Sequence, residues 1–215
     1  MIKEFVRKYG LLVLAILYVV GIAGLNSSYE SWFLALTPSH LLISLFILLA
    51  VHPSWSLGQI LVMLFVALAG FLVEVLGVNT GFPFGTYSYG EVLGVKILNT
   101  PLLIGANWLM LIYATHGIAR RVFNKPILVI LLGSALMVAL DLLLEPAAIH
   151  LGFWTWELAI PPLENYLAWA AISAFFHLLF WKFVPKYSNN IAGPLYVLQF
   201  VFFVMIIQLS HAALV

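Results

Sequence analysis

The sequence predicts an all-α integral membrane protein in which seven transmembrane helices form one bundle. Of its 215 residues, 64% are hydrophobic and only 8% are charged, whereas soluble domains are about one-quarter charged. The mean hydropathy is +1.12. Seven apolar runs also approach the roughly 20 residues that a helix needs to cross a bilayer core.

The seven runs justify the helices one by one. In chain order they cover approximately residues 9–25, 33–51, 57–77, 100–119, 126–149, 166–184 and 194–214. Basic residues before the first run are also typical of a signal peptide, but we interpret this run as the first span. Pro38 in the second run and Pro146 in the fifth lie where a helix can begin or break. Because no internal repeat or long linker interrupts the chain, we expect a single transmembrane domain over residues 1–215.

The distribution of Lys and Arg predicts the orientation of the bundle. With the N-terminus in the cytoplasm, the inner segments hold eight of the nine basic residues. These are Lys3, Arg7, Lys8, Arg120, Arg121, Lys125, Lys182 and Lys186, and the outer segments hold only Lys96. Cytoplasmic loops are enriched in Lys and Arg, so the C-terminus is expected outside the membrane. The loops at 78–99 and 150–165 then share the extracytoplasmic face.

Composition also excludes several classes of function. The absence of Cys removes disulfides and thiolate chemistry, and the net charge of +1 gives no basis for nucleic-acid binding. A retinal protein needs a lysine in its last span to form a Schiff base, and residues 187–215 contain none. We expect no metal ion and no cofactor, and nothing in the sequence fixes an oligomeric state.

The two outer loops are rich in aromatic residues and in residues that turn the backbone. The first reads GFPFGTYSYG over 81–90, and the second places Trp154, Trp156, Tyr166 and Trp169 within residues 154–169. Trp and Tyr also collect at headgroup depth in membrane proteins, which is the simpler explanation for any one ring. Irregular backbone at membrane depth is tolerated where it lines a cavity, so we predict that the loops fold inward over one cavity.

Three carboxylic acids lie within predicted spans, in the outer half of the bilayer. Glu74 is near the end of the third span, and Asp141 and Glu145 are four residues apart on one face of the fifth. Acidic residues in spans are expensive to insert and are functional candidates by default. Capping of helix ends is the alternative role for Glu74 and Glu145. Because buried, clustered acids resist ionisation, we expect one of the three to keep its proton and to serve as a proton donor.

Two separated segments resemble the membrane-integral carotenoid hydratase family, which includes bisanhydrobacterioruberin and γ-carotene hydratases. The first segment is EVLGVNTGFPFGTYSYGEVLG over 74–94, followed by Pro101 and Trp108. The second comprises DLLLEPAAIHLGFWTW over 141–156 and NYLAW over 165–169. The resemblance covers roughly residues 60–185 and implies a carotenoid substrate in a bacterial or archaeal cytoplasmic membrane, in contact with membrane lipid.

The resemblance implies acid-initiated hydration of the terminal double bond of an acyclic carotenoid. This chemistry needs a protonated carboxyl, a carboxylate that activates water, and aromatic faces around a cation. Asp141, as the deepest acid, is the predicted donor, and Glu74 and Glu145 are predicted to hold the water. The predicted substrate-binding residues are Phe84, Tyr87, Tyr89, Trp108, Trp154, Trp156, Asn165 and Tyr166.

Three alternatives use the same features differently. A carotenoid cyclase would begin with the same protonation and would end by losing a proton. A small-solute transporter would use the acids as a proton relay, although the halves show no inverted repeat. A non-catalytic protein would bind carotenoid and present it to partner enzymes.

Overall fold

The computed structural model describes residues 2–185 and 187–212, with the side chains of residues 2 and 210–212 left aside. Lys186 and the last two positions of the predicted seventh span lie outside the described residues. The helices are α1 (Ile2–Leu25), α2 (Glu30–Ala35), α3 (Thr37–Ala50), α4 (Leu57–Thr80), α5 (Leu103–Val122), α6 (Pro126–His150), α7 (Leu163–Phe183) and α8 (Ala192–Ala212). Four short strands accompany them: β1 (Tyr87–Tyr89), β2 (Lys96–Ile97), β3 (Thr100–Pro101) and β4 (Trp154–Trp156).

Local sequence explains where the helices that carry the acids begin and end. At the start of α4, the Ser56 hydroxyl accepts a bond from the Gln59 N–H, and the Gln59 side chain accepts one from the Ser56 N–H. This capping box satisfies donors that a helix start leaves free. Gly81 ends α4 with a left-handed φ of 76°, a conformation that costs glycine little. Helix α6 begins at Pro126, whose missing N–H is not needed in the first turn.

In the described part of the chain, five helices are long and apolar enough to cross a membrane, which indicates a membrane protein. They cover Lys3–Leu25, Leu57–Thr80, Pro126–His150, Leu163–Phe183 and Ala192–Leu209. The predicted run 33–51 is divided into α2 and α3, and α3 has only 14 residues. The division follows from Pro38, which has no N–H to donate and therefore occupies the first turn of a new helix.

Helix α5 corresponds to the predicted run 100–119 but is displaced and less apolar. Residues 100–101 belong to β3, so the prediction of helix there was wrong. Helix α5 packs against α3, α4, α6, α7 and α8, and most of its side chains are buried, including Thr115 and His116. A helix surrounded by protein needs no continuous apolar surface for lipid, which explains why its sequence is the most polar of the long helices.

The expectation of an all-α protein was incomplete, because two small sheets form at one end of the bundle. Strand β1 pairs with β4 in antiparallel register, and β2 pairs with β3. The β1–β4 pair joins the α4–α5 and α6–α7 connections. These are the two aromatic loops predicted to share one face, and the strand pair holds them together.

The opposite end of the bundle gathers basic residues. The Lys3 ammonium donates to the carbonyl oxygens of His52 and Pro53 at 2.7 and 2.8 Å. The Arg121 guanidinium donates to the carbonyl oxygen of Asn189. The N-terminus and the α3–α4, α5–α6 and α7–α8 connections therefore meet at one end, away from the β1–β4 pair.

Candidate active site

The β1–β4 pair arranges four aromatic side chains on one face. Residues two apart on a strand point to the same side, so Tyr87 and Tyr89 face inward while Ser88 is exposed. On β4, Trp154 and Trp156 are buried and Thr155 is exposed. Tyr87 lies directly opposite Trp156, and Tyr89 opposite Trp154. Their ring centroids are 4.9 and 5.8 Å apart.

Strand β1 supplies two of the three donors that hold Glu74. The Tyr87 hydroxyl donates to Oε2 of Glu74 at 2.5 Å, and the Tyr89 hydroxyl donates to the same oxygen at 2.8 Å. From α5, the Trp108 Nε1–H donates to Oε1 at 2.9 Å. Both oxygens of this buried side chain are therefore bound by donors.

The Glu74 carboxyl also affects the two phenols of β1. Burial, and then the negative charge of Glu74, raise the pKa of Tyr87 far above its ordinary value of 10.0. The same causes raise the pKa of Tyr89. Both phenols consequently stay protonated at all physiological pH values and remain hydrogen-bond donors.

Strand β4 holds Glu145 in a matching way. The Nε1–H groups of Trp154 and Trp156 donate to Oε2 of Glu145 at 2.9 and 2.7 Å. The other oxygen, Oε1, lies 3.4 Å from Nδ2 of Asn165, at the limit of a hydrogen bond. Oε1 is thus the most weakly held oxygen of the two glutamates.

Asp141 lies one helical turn behind Glu145 and is connected to it through Asn165. Nδ2 of Asn165 donates to Oδ2 of Asp141 at 2.9 Å. The Asp141 side chain is fully buried, and its Oδ1 has no hydrogen-bond partner among the described residues. Asp141 lines neither of the two cavities described next.

A small cavity of about 30 Å³ is bordered by both glutamates. A buried water needs roughly 10–15 Å³ of cavity volume, so the cavity has room for about two waters. Its wall comprises Glu74, Phe84, Tyr87, Tyr89, Ile104, Asn107, Trp108, Leu144, Glu145, Trp154, Trp156, Asn165 and Trp169. The four rings of the strand pair therefore surround one cavity.

A larger apolar cavity of about 160 Å³ adjoins the small one. Helices α1, α3, α5, α6 and α8 supply most of its wall, including Tyr18, Leu111, Leu140 and Phe202. The two cavities share four wall residues, which are Ile104, Asn107, Leu144 and Trp154. An apolar cavity of about 150 Å³ is large enough to hold benzene, so this one has space for a branched hydrocarbon end group beside the acids.

Of the predicted site residues, the structure brings all but Asp141 and Tyr166 to the small cavity. Tyr166 is half-buried on α7 and does not line it. Four wall residues were missing from the prediction: the apolar Ile104 and Leu144, and the more informative Asn107 and Trp169. Trp169 stacks on Trp108 with centroids 4.4 Å apart, and its place within NYLAW was a usable signal. Asn107 was identifiable as the amide next to Trp108 in an apolar run.

Comparison with known proteins identifies relatives of the chain. A family model described as carotenoid biosynthesis protein matches residues 34–215. A bisanhydrobacterioruberin hydratase from Haloarcula japonica is 30% identical over 121 residues, which cover 50% of this chain and 40% of that protein. The chain thus aligns with less than half the length of this curated relative. No solved structure matches the chain.

Proposed function

The chain belongs to the carotenoid biosynthesis protein family, and from this premise we propose that it hydrates the terminal double bond of an acyclic carotenoid. A carotenoid-modifying enzyme is supported by the family and by the hydratase relative. The observation that carries the finer proposal is the pair of glutamates on a cavity with room for water, directly beside an apolar cavity.

Glu145 is the proton donor in this proposal. A donor must reach the carbon that it protonates, and Glu145 lines the small cavity whereas Asp141 does not. The two indole N–H groups occupy Oε2, which leaves Oε1 to carry the proton. Asp141 stands behind Glu145 and, through Asn165, fixes the orientation of its carboxyl. This assignment replaces Asp141 with Glu145 as the donor.

Protonation of the less substituted carbon produces a tertiary cation, which the surrounding rings stabilise. Aromatic faces attract cations by roughly 0.5–2 kcal/mol each, most strongly where water is excluded. Trp154 borders both cavities and Trp156 borders the small one, so both are available to the end group that enters from the apolar side.

Glu74 completes the reaction as the base. A water in the small cavity adds to the tertiary carbon and gives one proton to Glu74, which forms the alcohol. Glu145 has lost one proton and Glu74 has gained one, so a proton must return to Glu145 before the next cycle. Without water capture, attack of an internal double bond on the cation would close a ring, and loss of a proton would then yield a cyclic isomer, which is the outcome of a cyclase.

Expression in cells that make lycopene tests the proposal. A pigment heavier than lycopene by one or two waters is expected from the wild-type chain, and none from the Glu145→Gln variant. A pigment of unchanged mass but altered absorption would instead indicate a cyclase. Unchanged pigment would contradict both and would favour a transporter or a carotenoid-binding protein.

For the membrane, the proposal retains seven spans with the N-terminus in the cytoplasm, α2 and α3 together forming the second. The cluster of Lys3 and Arg121 contacts at one end of the bundle supports this orientation, because basic residues favour the cytoplasmic side. Reporter fusions after Val122 should report the cytoplasm and fusions after Gly94 the outside. The reverse pattern would contradict the orientation.

A further inference from the structure

Asn107 occupies the boundary between the two cavities. It belongs to both walls, together with Ile104, Leu144 and Trp154. Of these four, Asn107 alone carries a carboxamide, which can donate two hydrogen bonds and accept two. It extends from α5, whose other side chains are mostly buried. Helix α5 thus places one carboxamide where the apolar cavity meets the small cavity.

The Asn107 side chain is half-buried, and no hydrogen bond to it is found among the described residues. The neighbouring polar groups contrast with it, because Asn165 and Trp108 bond to the acids. Polar groups in protein interiors are almost always satisfied, by protein or by water. An amide that borders a cavity and lacks a protein partner therefore has capacity for a water or a ligand oxygen.

We infer that the Asn107 amide binds the water that attacks the carotenoid cation and holds it at the boundary between the two cavities. This inference rests on the proposed hydration. A hydrocarbon end group supplies no hydrogen bond, so the water must be held by the protein while it faces the cation. Glu74 and Asn107 border the same small cavity, so one can accept the proton of a water that the other holds.

The water held by Asn107 should determine which products form from the cation. The cation has two fates, and Glu74 accepts one proton in each. Addition of water forms a C–O bond and gives the alcohol, whereas loss of a proton from an adjacent carbon restores an alkene. Asn107 assists only the first fate. In D₂O, protonation followed by proton loss leaves deuterium on carbon in the recovered polyene, so both fates can be counted.

The experiment incubates purified wild-type enzyme and Asn107→Leu with lycopene in D₂O and measures alcohol and deuterated polyene by mass spectrometry. The ratio of deuterated polyene to alcohol should rise roughly tenfold in Asn107→Leu, the weight of about one hydrogen bond in the transition state. Ile104→Val changes the packing of the same boundary without changing its polarity, so it should raise the ratio less than either Asn107 variant does. Asn107→Ser keeps a shorter hydroxyl, creates no steric conflict, and should give an intermediate ratio.

The outcomes separate this inference from the proposed function. If alcohol and deuterated polyene fall in parallel in both Asn107 variants, Asn107 does not hold the water and only this inference fails. An equal rise of the ratio in Ile104→Val would also overturn it, because the effect would then follow from packing. If the wild-type enzyme yields neither alcohol nor deuterated polyene, the proposed hydration fails and this inference fails with it.

Discussion

Replacing Glu145 by Gln removes the proposed acid proton and little else. The amide oxygen of Gln can accept both indole N–H groups that Oε2 of Glu145 accepts in the protein. The NH₂ group would replace Oε1, which has only the 3.4 Å contact with Asn165. If Glu145 is a neutral acid, the substitution exchanges one neutral acceptor for another, and a net hydrogen bond contributes about 1 kcal/mol. We therefore expect the free energy of unfolding to change by less than about 1 kcal/mol.

The catalytic effect of Glu145→Gln should be much larger than its effect on stability. General acids contribute about 10²–10⁴-fold to rate, and a 10²-fold loss corresponds to about 2.7 kcal/mol in the activation barrier. The assay is the initial rate of alcohol formation from lycopene in detergent or liposomes, with the melting temperature measured on the same preparation. Glu164→Gln is the matched control, because Glu164 is exposed in the first turn of α7, and it should keep the wild-type rate.

Asp141→Asn distinguishes the two candidate donors. If Asp141 only orients Glu145, its amide should slow the reaction less than Glu145→Gln does. A folded Glu145→Gln protein that hydrates within about threefold of the wild-type rate would refute the assignment of Glu145. A loss of activity confined to Asp141→Asn would instead support Asp141, the donor predicted from its depth in the membrane.

Three further predictions test the framework of the site. Gly77→Ala should lower the free energy of unfolding by about 1–3 kcal/mol, because the new Cβ would lie 2.6 Å from an aromatic carbon of the loop and 3.0 Å from the Tyr87 hydroxyl. Gly58→Ala is the control, because a Cβ at this position would contact no neighbouring group within 4 Å and should leave the melting temperature nearly unchanged. The double variant Ser88→Cys with Thr155→Cys should form a disulfide on mild oxidation, because the two residues are opposite in the strand pair and the Cα atoms of such pairs are close enough for a disulfide. The disulfide should appear as a mobility shift on a gel without reductant, and either single variant should give no shift. A double variant that stays reduced would contradict the pairing. Folding raises the pKa of Tyr87 above its ordinary 10.0, so the contribution of this phenol to stability is complete below about pH 10 and is lost as the pH rises further. Tyr87→Phe should therefore reduce the fall in melting temperature at alkaline pH. A fall as steep as that of the wild-type protein would refute this prediction.

The sequence predicted the helices well where lipid and chain length determine them. Five runs became helices long and apolar enough to span, because a segment facing lipid must be apolar along its length. The prediction was poorer for segments whose helical structure depends on contacts with the rest of the protein. Helix α5 is surrounded by other helices, so apolarity identified it poorly. The run 33–51 is divided into two helices at Pro38, a residue that was noted as a possible helix start or break although the run was still counted as one span.

The strands were missed because the apolar-run method recognises only long segments. The alternation of aromatic and hydroxyl residues in YSY and WTW has the period of two that is typical of strands, and it gave the needed signal. The depth of Asp141 was predicted, but its separation from the cavity was not. Asn165 borders the cavity and donates to Asp141, which does not border it, and such a side-chain contact between two helices cannot be read from the sequence.

The two glutamate sites are each assembled from a short stretch of chain. All three donors to Glu74 come from residues within 34 positions of it, and all three donors to Glu145 come from within 20. The halves meet through β1 and β4, whose opposed Ser88 and Thr155 are 67 positions apart. During synthesis, the first half can therefore be complete before the second has left the ribosome. Two separately expressed fragments divided in the α5–α6 connection would each carry one acid with its donors, and their association would have to restore both the β1–β4 pair and the packing of α5 against α6, α7 and α8.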